Sequence, residues 1–162
     1  MPVNYQELAT GKYYEDLIPG TVYKHAITRT VSEMDNMMFS ALTYNCAWLH
    51  TDEEYCKTTF YGQRIVNSMF TLSLVCGVGV HDLTLGTTQG NLGFTDVKFT
   101  KPVFFGDTIH TETEIIGRRE SKSRPDAGIV EFETRGYNQR DEMVVSLRRT
   151  GLMTKRSSLN AA

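Results

Sequence analysis

The stretch that decides the fold is VNSMFTLSLVCGVGV, residues 66–80. Drawn as a helix, it carries apolar side chains on nearly every face, which is the pattern of a buried helix. At about 15 residues it would be roughly 22 Å long. Gly77 and Gly79 weaken its C-terminal end. A buried strand is the alternative for an apolar run, but the length of this one favours a helix.

From Gln89 onward the sequence predicts strands. In GNLGFTDVKFTKPV the alternation of apolar residues slips by one position, which predicts a β-bulge near Thr95 and Asp96. Gly106 and Asp107 predict a turn. Three strand-like stretches follow, TIHTETEIIGRRE, AGIVEFETRGYN and MVVSLRRTGLM, and turn-forming segments separate them.

The region before residue 66 predicts one strand and two helices. Val22 to Thr28 can form the strand. Ser32 and Asp35 resemble a capping box, so residues 33–43 are predicted to be an amphipathic helix. Its apolar positions are Met34, Met37, Met38, Ala41 and Leu42. Residues 51–57 predict a second, short helix.

Helices followed by a run of antiparallel strands indicate the α+β class. A long apolar helix beside a curved antiparallel sheet would be buried in the concave face of that sheet, since neither element can leave its apolar side in water. We therefore predict a hot-dog fold, in which the sheet wraps around the central helix.

Length and composition indicate one globular domain. The chain has 162 residues, of which 40% are hydrophobic and 22% are charged. We expect residues 1–162 to form a single domain, with residues 155–162 as a frayed tail. The formal net charge of −2 argues against a nucleic-acid partner, because no basic excess is available to neutralise phosphates.

The N-terminus and the cysteines predict the compartment. The segment MPVNYQELATGKYYEDL lacks the basic and apolar regions of a secretory signal, and the apolar run at residues 69–80 is too short for a membrane span. Cys46, Cys56 and Cys76 form no C-x-x-C pair, and an odd number of such thiols favours a reducing environment. We therefore expect a cytoplasmic protein that does not contact membranes.

Residues 39–52, FSALTYNCAWLHTD, carry a resemblance to a known family. Together with residues 62–73, residues 93–107 and the final strands, they resemble the MaoC-like dehydratase family, the (R)-specific enoyl-CoA hydratases. The hydratase motif of that family runs F-(A/S)-A-L-(S/T)-G-D-x-N-P-L-H-x-D. In this frame His50 falls on the family's catalytic histidine, whereas the family's catalytic aspartate falls on Asn45.

The resemblance implies that His50 and Asn45 form the catalytic pair and hold a water between them. An amide cannot take up a proton at neutral pH, so Asn45 can orient the water but cannot act as the base. Histidine titrates close to neutral pH, so His50 can remove or return a proton. Judged without the motif, a lone histidine near a helix cap is structural more often than catalytic. The motif's asparagine and proline are also replaced, by Ala47 and Trp48.

The second similar stretch opens the central helix. Residues 61–74, YGQRIVNSMFTLSL, are similar to the family pattern (F/Y)-G-x-x-I-(A/V)-H-G-M-L-x-x-S-L. The family's glycine, whose backbone N–H polarises the thioester carbonyl, falls on Ser68, and its histidine falls on Asn67. The resemblance therefore implies an oxyanion donor at Ser68 N–H and a substrate contact at Asn67, at a helix N-terminus that favours negative charge. Capping of a core helix would explain both residue types equally well.

A basic segment, GRRESKSRPD, is the candidate site for the phosphates of coenzyme A, because arginine suits bidentate phosphate contacts. Its cations are Arg118, Arg119, Lys122 and Arg124. A solvated hairpin end is an equally good alternative. The remaining histidines, at positions 25, 81 and 110, lack partners at metal-ligand spacing, so no metal site is expected.

The sequence thus predicts an enzyme that hydrates a 2-enoyl-CoA or dehydrates a 3-hydroxyacyl-CoA. By resemblance, the acyl chain is short and branched or dicarboxylic, and the protein forms a homodimer or a multiple of dimers. No metal or redox cofactor is expected, since coenzyme A enters only as part of the substrate. An acyl-CoA thioesterase and a non-catalytic acyl-thioester-binding protein are the two alternatives.

Overall fold

The structure, a computed structural model, describes residues 3–160. Its α-helices are α1 (Glu33–Leu42), α2 (Trp48–Thr51), α3 (Glu53–Lys57) and α4 (Ser68–Val78). Its strands are β1 (Val22–Lys24), β2 (Arg29–Thr30), β3 (Thr88–Phe99), β4 (Thr108–Glu120), β5 (Ala127–Tyr137) and β6 (Met143–Thr154). Tyr14–Asp16 and Arg156–Asn160 form 3₁₀ turns, and Val80–Thr84 forms a π-helical segment.

The strands form one antiparallel sheet in the order β1-β4-β5-β6-β3, with β2 paired to β4. Along β4 and β5, buried and more exposed residues alternate, so one face of the sheet covers the core. The three long strands predicted after residue 107 are therefore confirmed. The predicted first strand is much shorter than residues 22–28, because only Val22–Lys24 pair with β4.

The edge strand β3 is irregular and exposed over nearly its whole length. Its pairing with β6 shifts register between Thr95 and Lys98, and Asp96 adopts a left-handed backbone with φ of 51°. This confirms the predicted bulge. Two further shifts, around Gly90 and before Gly93, were not predicted. The predicted turn is also present, since Gly106 has φ of 90° and Asp107 N–H donates to the Phe104 carbonyl.

Helix α4 lies on the inner face of the sheet, over β4, β5 and β6, as predicted for a central helix. Close approach is possible because β5 has a glycine there: a Cβ on Gly136 would lie 2.4 Å from Cγ2 of Val75. The helix ends at Val78, and Gly79 is its C-cap. The helix is not fully buried, since Met69 is 52% exposed.

Two hydrophobic clusters fill the space inside the sheet. The first joins α4 to the starts of β4 and β6 and to the loop between β3 and β4, and its buried members are Val31, Val66, Leu72, Val75, Val103, Ile109, Val144, Val145 and Leu147. The second lies under the N-terminal segment, and its buried members are Leu17, Leu83, Ile115, Val130, Phe132 and Met153.

Helix α1 begins at the predicted capping box, in which Ser32 and Asp35 bond reciprocally. However, α1 buries its polar face and exposes its apolar face, whereas its apolar pattern predicts the opposite. Its buried residues are Asn36 and Ser40, whereas its methionines face outward and Met34 is 68% exposed. The apolar face of α1 is thus left uncovered by the rest of residues 3–160.

The C-terminal segment, residues 155–162, was expected to be a frayed tail. Residues 156–160 form a 3₁₀ turn that is tied to the N-terminal segment, since Arg156 pairs with Asp16 at 2.5 Å and its N–H donates to Glu15. Residues 161 and 162 lie outside the described part of the chain. Across residues 3–160, none of the helices has the length and hydrophobicity needed to cross a bilayer.

Candidate active site

His50 lies in the short helix α2 and is only 9% exposed. Its ring Nδ1 lies 3.0 Å from the Ile65 carbonyl oxygen. Because a carbonyl can only accept, Nδ1 carries the hydrogen in the neutral ring, and Nε2 carries the lone pair. Nε2 has no hydrogen-bond partner within residues 3–160. His50 is therefore held in one tautomer, with its basic nitrogen unoccupied.

Asn36, on α1, joins the helix of His50 to the start of α4. Its side-chain NH2 donates to the His50 carbonyl at 2.9 Å, and its side-chain oxygen accepts from Asn67 N–H at 2.8 Å. Asn36 is fully buried, so both bonds are shielded from water. No motif in the sequence points to this residue. The only signal was a polar residue between apolar positions of a helix.

The start of α4 is built by Asn67 and Ser68. The Asn67 side chain is buried, accepts from Met69 N–H at 3.0 Å and donates to the Ser40 hydroxyl at 3.3 Å. Asn67 is thus the cap of the helix, and its side chain is occupied by the protein rather than turned toward a ligand. The Ser68 N–H has no acceptor among residues 3–160, which makes it available to an oxyanion.

Ser68 also borders a small groove of about 190 Å³. The other residues that line it are Tyr61, Ile65, Phe99, Thr100, Lys101 and Pro102. Ile65 is the residue whose carbonyl orients His50. The predicted base and the predicted oxyanion donor are therefore connected through three peptide units at the same end of α4.

Asn45 lies in the turn between α1 and α2 and borders a second, mainly apolar groove of about 400 Å³. The remaining lining residues are Met37, Ser40, Ala41, Tyr44, Cys46 and Thr51. The Asn45 side-chain oxygen accepts from Ala47 N–H at 3.1 Å, and its NH2 group has no partner in residues 3–160. His50 is not among the residues that line this groove.

Tyr44 precedes Asn45 and stands where the family motif has glycine. Its φ is 54°, in the left-handed region, and its side chain is 94% exposed. A tyrosine has a conformational cost there that glycine would not. The turn that positions Asn45 is therefore kept despite the unfavourable residue.

The basic segment at residues 117–126 connects β4 to β5, and this basic hairpin lies far from His50, Asn45 and Ser68. Arg118 donates to the carbonyls of Tyr14 and Glu15, and Arg124 pairs with Asp126, whose pKa is thereby held well below its usual range. The remaining two cations of the segment, at positions 119 and 122, are exposed. Ile109, at the other end of β4, belongs to the same hydrophobic cluster as Val66, which comes just before α4. Nine residues of strand separate Ile109 from the hairpin, which is about 30 Å.

The other histidines are engaged elsewhere. His25 is buried between Asp82, 2.9 Å from Nδ1, and the Thr113 hydroxyl, 2.9 Å from Nε2, so it anchors the π-helical segment to the sheet. His110 stacks on Tyr137 on the outer face of the sheet. The described residues contain no group of three or more His, Cys, Asp or Glu side chains that could hold a metal ion.

Comparison with known proteins identifies the architecture and the family pattern. The family model described as MaoC like domain matches residues 16–136. A solved structure of a monoamine oxidase regulatory protein from Archaeoglobus fulgius is 30% identical, with a TM-score of 0.80, covering 90% of this chain and 95% of that one. A Mycobacterium tuberculosis protein described as having a double hotdog fold is 21% identical, with a TM-score of 0.81, over 90% of this chain and 45% of that one. The predicted hot-dog fold is thereby confirmed.

Two curated relatives carry names that describe a reaction. Mesaconyl-CoA hydratase of Cereibacter sphaeroides is 33% identical over 91% of this chain, and Beta-methylmalyl-CoA dehydratase of Chloroflexus aurantiacus is 29% identical over 90%. The chain spans only 43% and 41% of the length of these two proteins.

Proposed function

The chain belongs to the MaoC-like domain family, and from that premise we propose that it catalyses the reversible hydration of a 2-enoyl-CoA to a 3-hydroxyacyl-CoA. The observation that carries this proposal is the tautomer of His50. The Ile65 carbonyl fixes the hydrogen on Nδ1 and leaves Nε2 as a base without a partner among the described residues. Ile65 itself comes three residues before Ser68, whose N–H has no acceptor in that part of the chain either. A base and an oxyanion donor at the start of one helix are what addition to an unsaturated thioester requires.

In the forward direction, a water held by Asn45 and His50 attacks C3 of the enoyl group. Nε2 of His50 removes a proton from this water as the C–O bond forms. The electrons of the double bond move onto the thioester oxygen, where Ser68 N–H and the positive end of α4 stabilise the enolate. The proton then returns to C2, so that H and OH have been added across the bond.

No metal or redox cofactor takes part in this proposal, because the thioester itself acidifies C2. Coenzyme A is present only as part of the substrate. The acyl group is a short branched or dicarboxylic one, which is supported by the names of the two curated relatives. A mesaconyl group combines both features, since it is a methyl-branched four-carbon chain with a second carboxylate.

The active unit is a homodimer or a multiple of dimers. Support comes from β3, an exposed edge strand with four large apolar residues, Leu92, Phe94, Val97 and Phe99. The curated relatives are more than twice as long as the matched unit, which fits a second unit supplied in trans. Dimerisation also removes the aggregation hazard of a free edge.

The basic hairpin contacts the coenzyme A phosphates only from the second copy, because within one chain it is about 30 Å from Ser68 along β4. In that role Arg119 and Lys122 are the phosphate contacts, since Arg118 and Arg124 are already bonded within their own chain. The cytoplasm is the proposed compartment, because Cys46, Cys56 and Cys76 are all free thiols.

The experiment measures hydration, hydrolysis and binding of crotonyl-CoA and mesaconyl-CoA by the wild-type protein. Hydration is detected as loss of the enoyl-thioester ultraviolet absorbance, and hydrolysis as release of free thiol. We expect loss of absorbance without thiol release. Thiol release instead would make the protein a thioesterase, and saturable binding with neither change would make it a non-catalytic acyl-thioester-binding protein.

A further inference from the structure

Arg149 is a cation on the inner face of the sheet that has no anionic partner among the described residues. It lies on β6, opposite Phe132 of β5 and Phe94 of β3 in the strand register. Its guanidinium carbon is 5.0 Å from the centre of the Phe132 ring. Within residues 3–160 it forms neither an ion pair nor a side-chain hydrogen bond, whereas the preceding Arg148 pairs with Glu133 and Asp96 on the outer face.

The surroundings of Arg149 are apolar. Phe132 belongs to the second hydrophobic cluster, and Cys76 of α4 packs against the first, so the guanidinium lies where the two clusters meet. Burial lowers the pKa of Arg149 because leaving water disfavours the charged form, yet a guanidinium stays protonated in proteins. The Cys76 thiol, whose pKa burial raises, cannot neutralise it. Arg149 is partly buried, and an unpaired charge in such a place is costly, so an anion from outside the chain would stabilise it.

Cys76, which lies near Arg149, shows how far Arg149 is from Ser68, the proposed oxyanion donor. Cys76 comes eight residues after Ser68, which is about 12 Å along the helix axis. A hydrogen bond of about 3 Å from Ser68 N–H to the thioester oxygen, and another of about 3 Å from Arg149 to a carboxylate, leave about 6 Å for the acyl group between them. This is the span from the thioester oxygen to the far carboxylate of a short dicarboxylic acyl group.

The helix leaves this region accessible. Helix α4 packs over β4, β5 and β6, and the inner side of β3 lies beyond it. Met69 and Ser73 on the helix and Phe94 and Phe99 on the strand are exposed. The space between α4 and β3 is therefore the route by which an acyl group entering at Ser68 would reach Arg149.

From this geometry we infer that Arg149 binds the distal carboxylate of a dicarboxylic enoyl-CoA and so determines the preference of the enzyme for anionic acyl groups. This inference rests on the proposed hydratase function. A guanidinium suits the task because it can donate two parallel hydrogen bonds to a carboxylate. Arg149 is a specificity residue in this role and takes no part in proton transfer.

The test compares mesaconyl-CoA with 2-methylcrotonyl-CoA, which has a methyl group in place of the carboxylate. Arg149→Met should lower kcat/KM for mesaconyl-CoA by about 10²-fold or more, because the carboxylate then loses its charged partner. The value for 2-methylcrotonyl-CoA should stay within about threefold or rise. Arg149→Lys keeps the charge but not the bidentate geometry, so its kcat/KM for mesaconyl-CoA should lie between those of wild type and Arg149→Met. Arg148→Met is the matched control and should leave the preference unchanged.

The outcomes separate this inference from the function on which it rests. If wild type hydrates neither thioester, the proposed function fails. If wild type hydrates 2-methylcrotonyl-CoA as well as it hydrates mesaconyl-CoA, the function holds and the role of Arg149 is wrong. That role is equally wrong if Arg149→Met and Arg149→Lys reduce the hydration of both substrates to the same extent. It is also wrong if the two variants dissociate the protein, since Arg149 would then pair with a second copy.

Discussion

The chemistry proposed for His50 depends on one hydrogen bond, from Nδ1 to the Ile65 carbonyl. Removing the imidazole should lower the turnover number by about 10²–10⁴, the usual contribution of general acid–base catalysis. The KM should change little, because proton transfer occurs in the transition state and not in substrate binding. His50→Ala, assayed by loss of enoyl-thioester absorbance, provides the measurement. His110→Ala is the control, since His110 stacks on Tyr137 outside the site. Full activity of His50→Ala would show that this histidine is not the base.

Asn45 stands where the family motif has a carboxylate, and Asn45→Asp tests the consequence. An aspartate oxygen can accept from Ala47 N–H as the amide oxygen does, so the turn should be preserved. We expect activity on crotonyl-CoA to be kept or raised. Activity on mesaconyl-CoA should fall, because two nearby anions repel each other in a poorly solvated pocket. Asn45→Ala should impair both substrates by misplacing the water. Equal gains on both substrates would contradict the role assigned to the amide.

Asn36 is a positioning residue, because it bonds the backbones of His50 and Asn67 and not the substrate. Asn36→Ala leaves a buried carbonyl and a buried N–H without partners, which should cost about 1–3 kcal/mol each in the free energy of unfolding. In the folded variant kcat should fall more than KM rises, since the base and the oxyanion donor are no longer aligned. Urea unfolding and steady-state kinetics measure the two effects. Met38→Ala, on the exposed face of α1, is the control, and equal effects from both variants would count against the positioning role.

At the scale of elements, α4 and β5 pack through the contact between Val75 and Gly136. A methyl group at residue 136 would lie 2.4 Å from one Val75 methyl and 3.1 Å from Val145. Gly136→Ala should therefore destabilise the fold by about 1–3 kcal/mol through overpacking, and Val75→Ala in the same chain should restore part of the loss. Gly93→Ala on β3 has nothing within 4 Å and should be neutral. Thermal unfolding of the four proteins measures this, and a stable Gly136→Ala would show that the helix can shift without cost.

The sequence predicts best those elements whose own pattern of apolar residues shows which face is buried. The alternation along β4 and β5 specifies a sheet with one covered face, and the length of the apolar run specifies α4. Helix α1 shows the limit: its methionines predict a buried face, but the residues that it buries are Asn36 and Ser40. Helix α2 has only four residues and no side-chain cap, so no local signal marks it.

The candidate site could also be predicted only in part. The motif frame locates His50, and the helix start locates Ser68. The network that aligns them was not predictable, because Asn36 bonds to residues 14 and 31 positions away along the chain. Such bonds depend on the packing of α1 against α4, which leaves no periodic trace in the sequence. Arg149 was missed for a similar reason, since only the strand register shows that it faces inward.

At the scale of the whole molecule, the free edge of the sheet predicts a dimer. Leu92 near the middle of β3 is 54% exposed on an edge whose backbone has no strand partner among residues 3–160. An apolar edge of this kind favours pairing with a second copy across a two-fold axis, which places each residue near the axis beside its own equivalent. Wild type should therefore have at least twice the 18.3 kDa chain mass by light scattering at micromolar concentration.

Leu92→Lys should dissociate this dimer, because two like charges would then meet near the axis. Val22→Lys introduces the same charge at an exposed residue of β1, on the opposite edge of the sheet, and should leave the mass unchanged. If the basic hairpin of one copy serves the site of the other, Leu92→Lys should also raise the KM for acyl-CoA thioesters, and Val22→Lys should not. A wild-type mass of one chain, or dissociation caused by Val22→Lys alone, would place the interface elsewhere or exclude it.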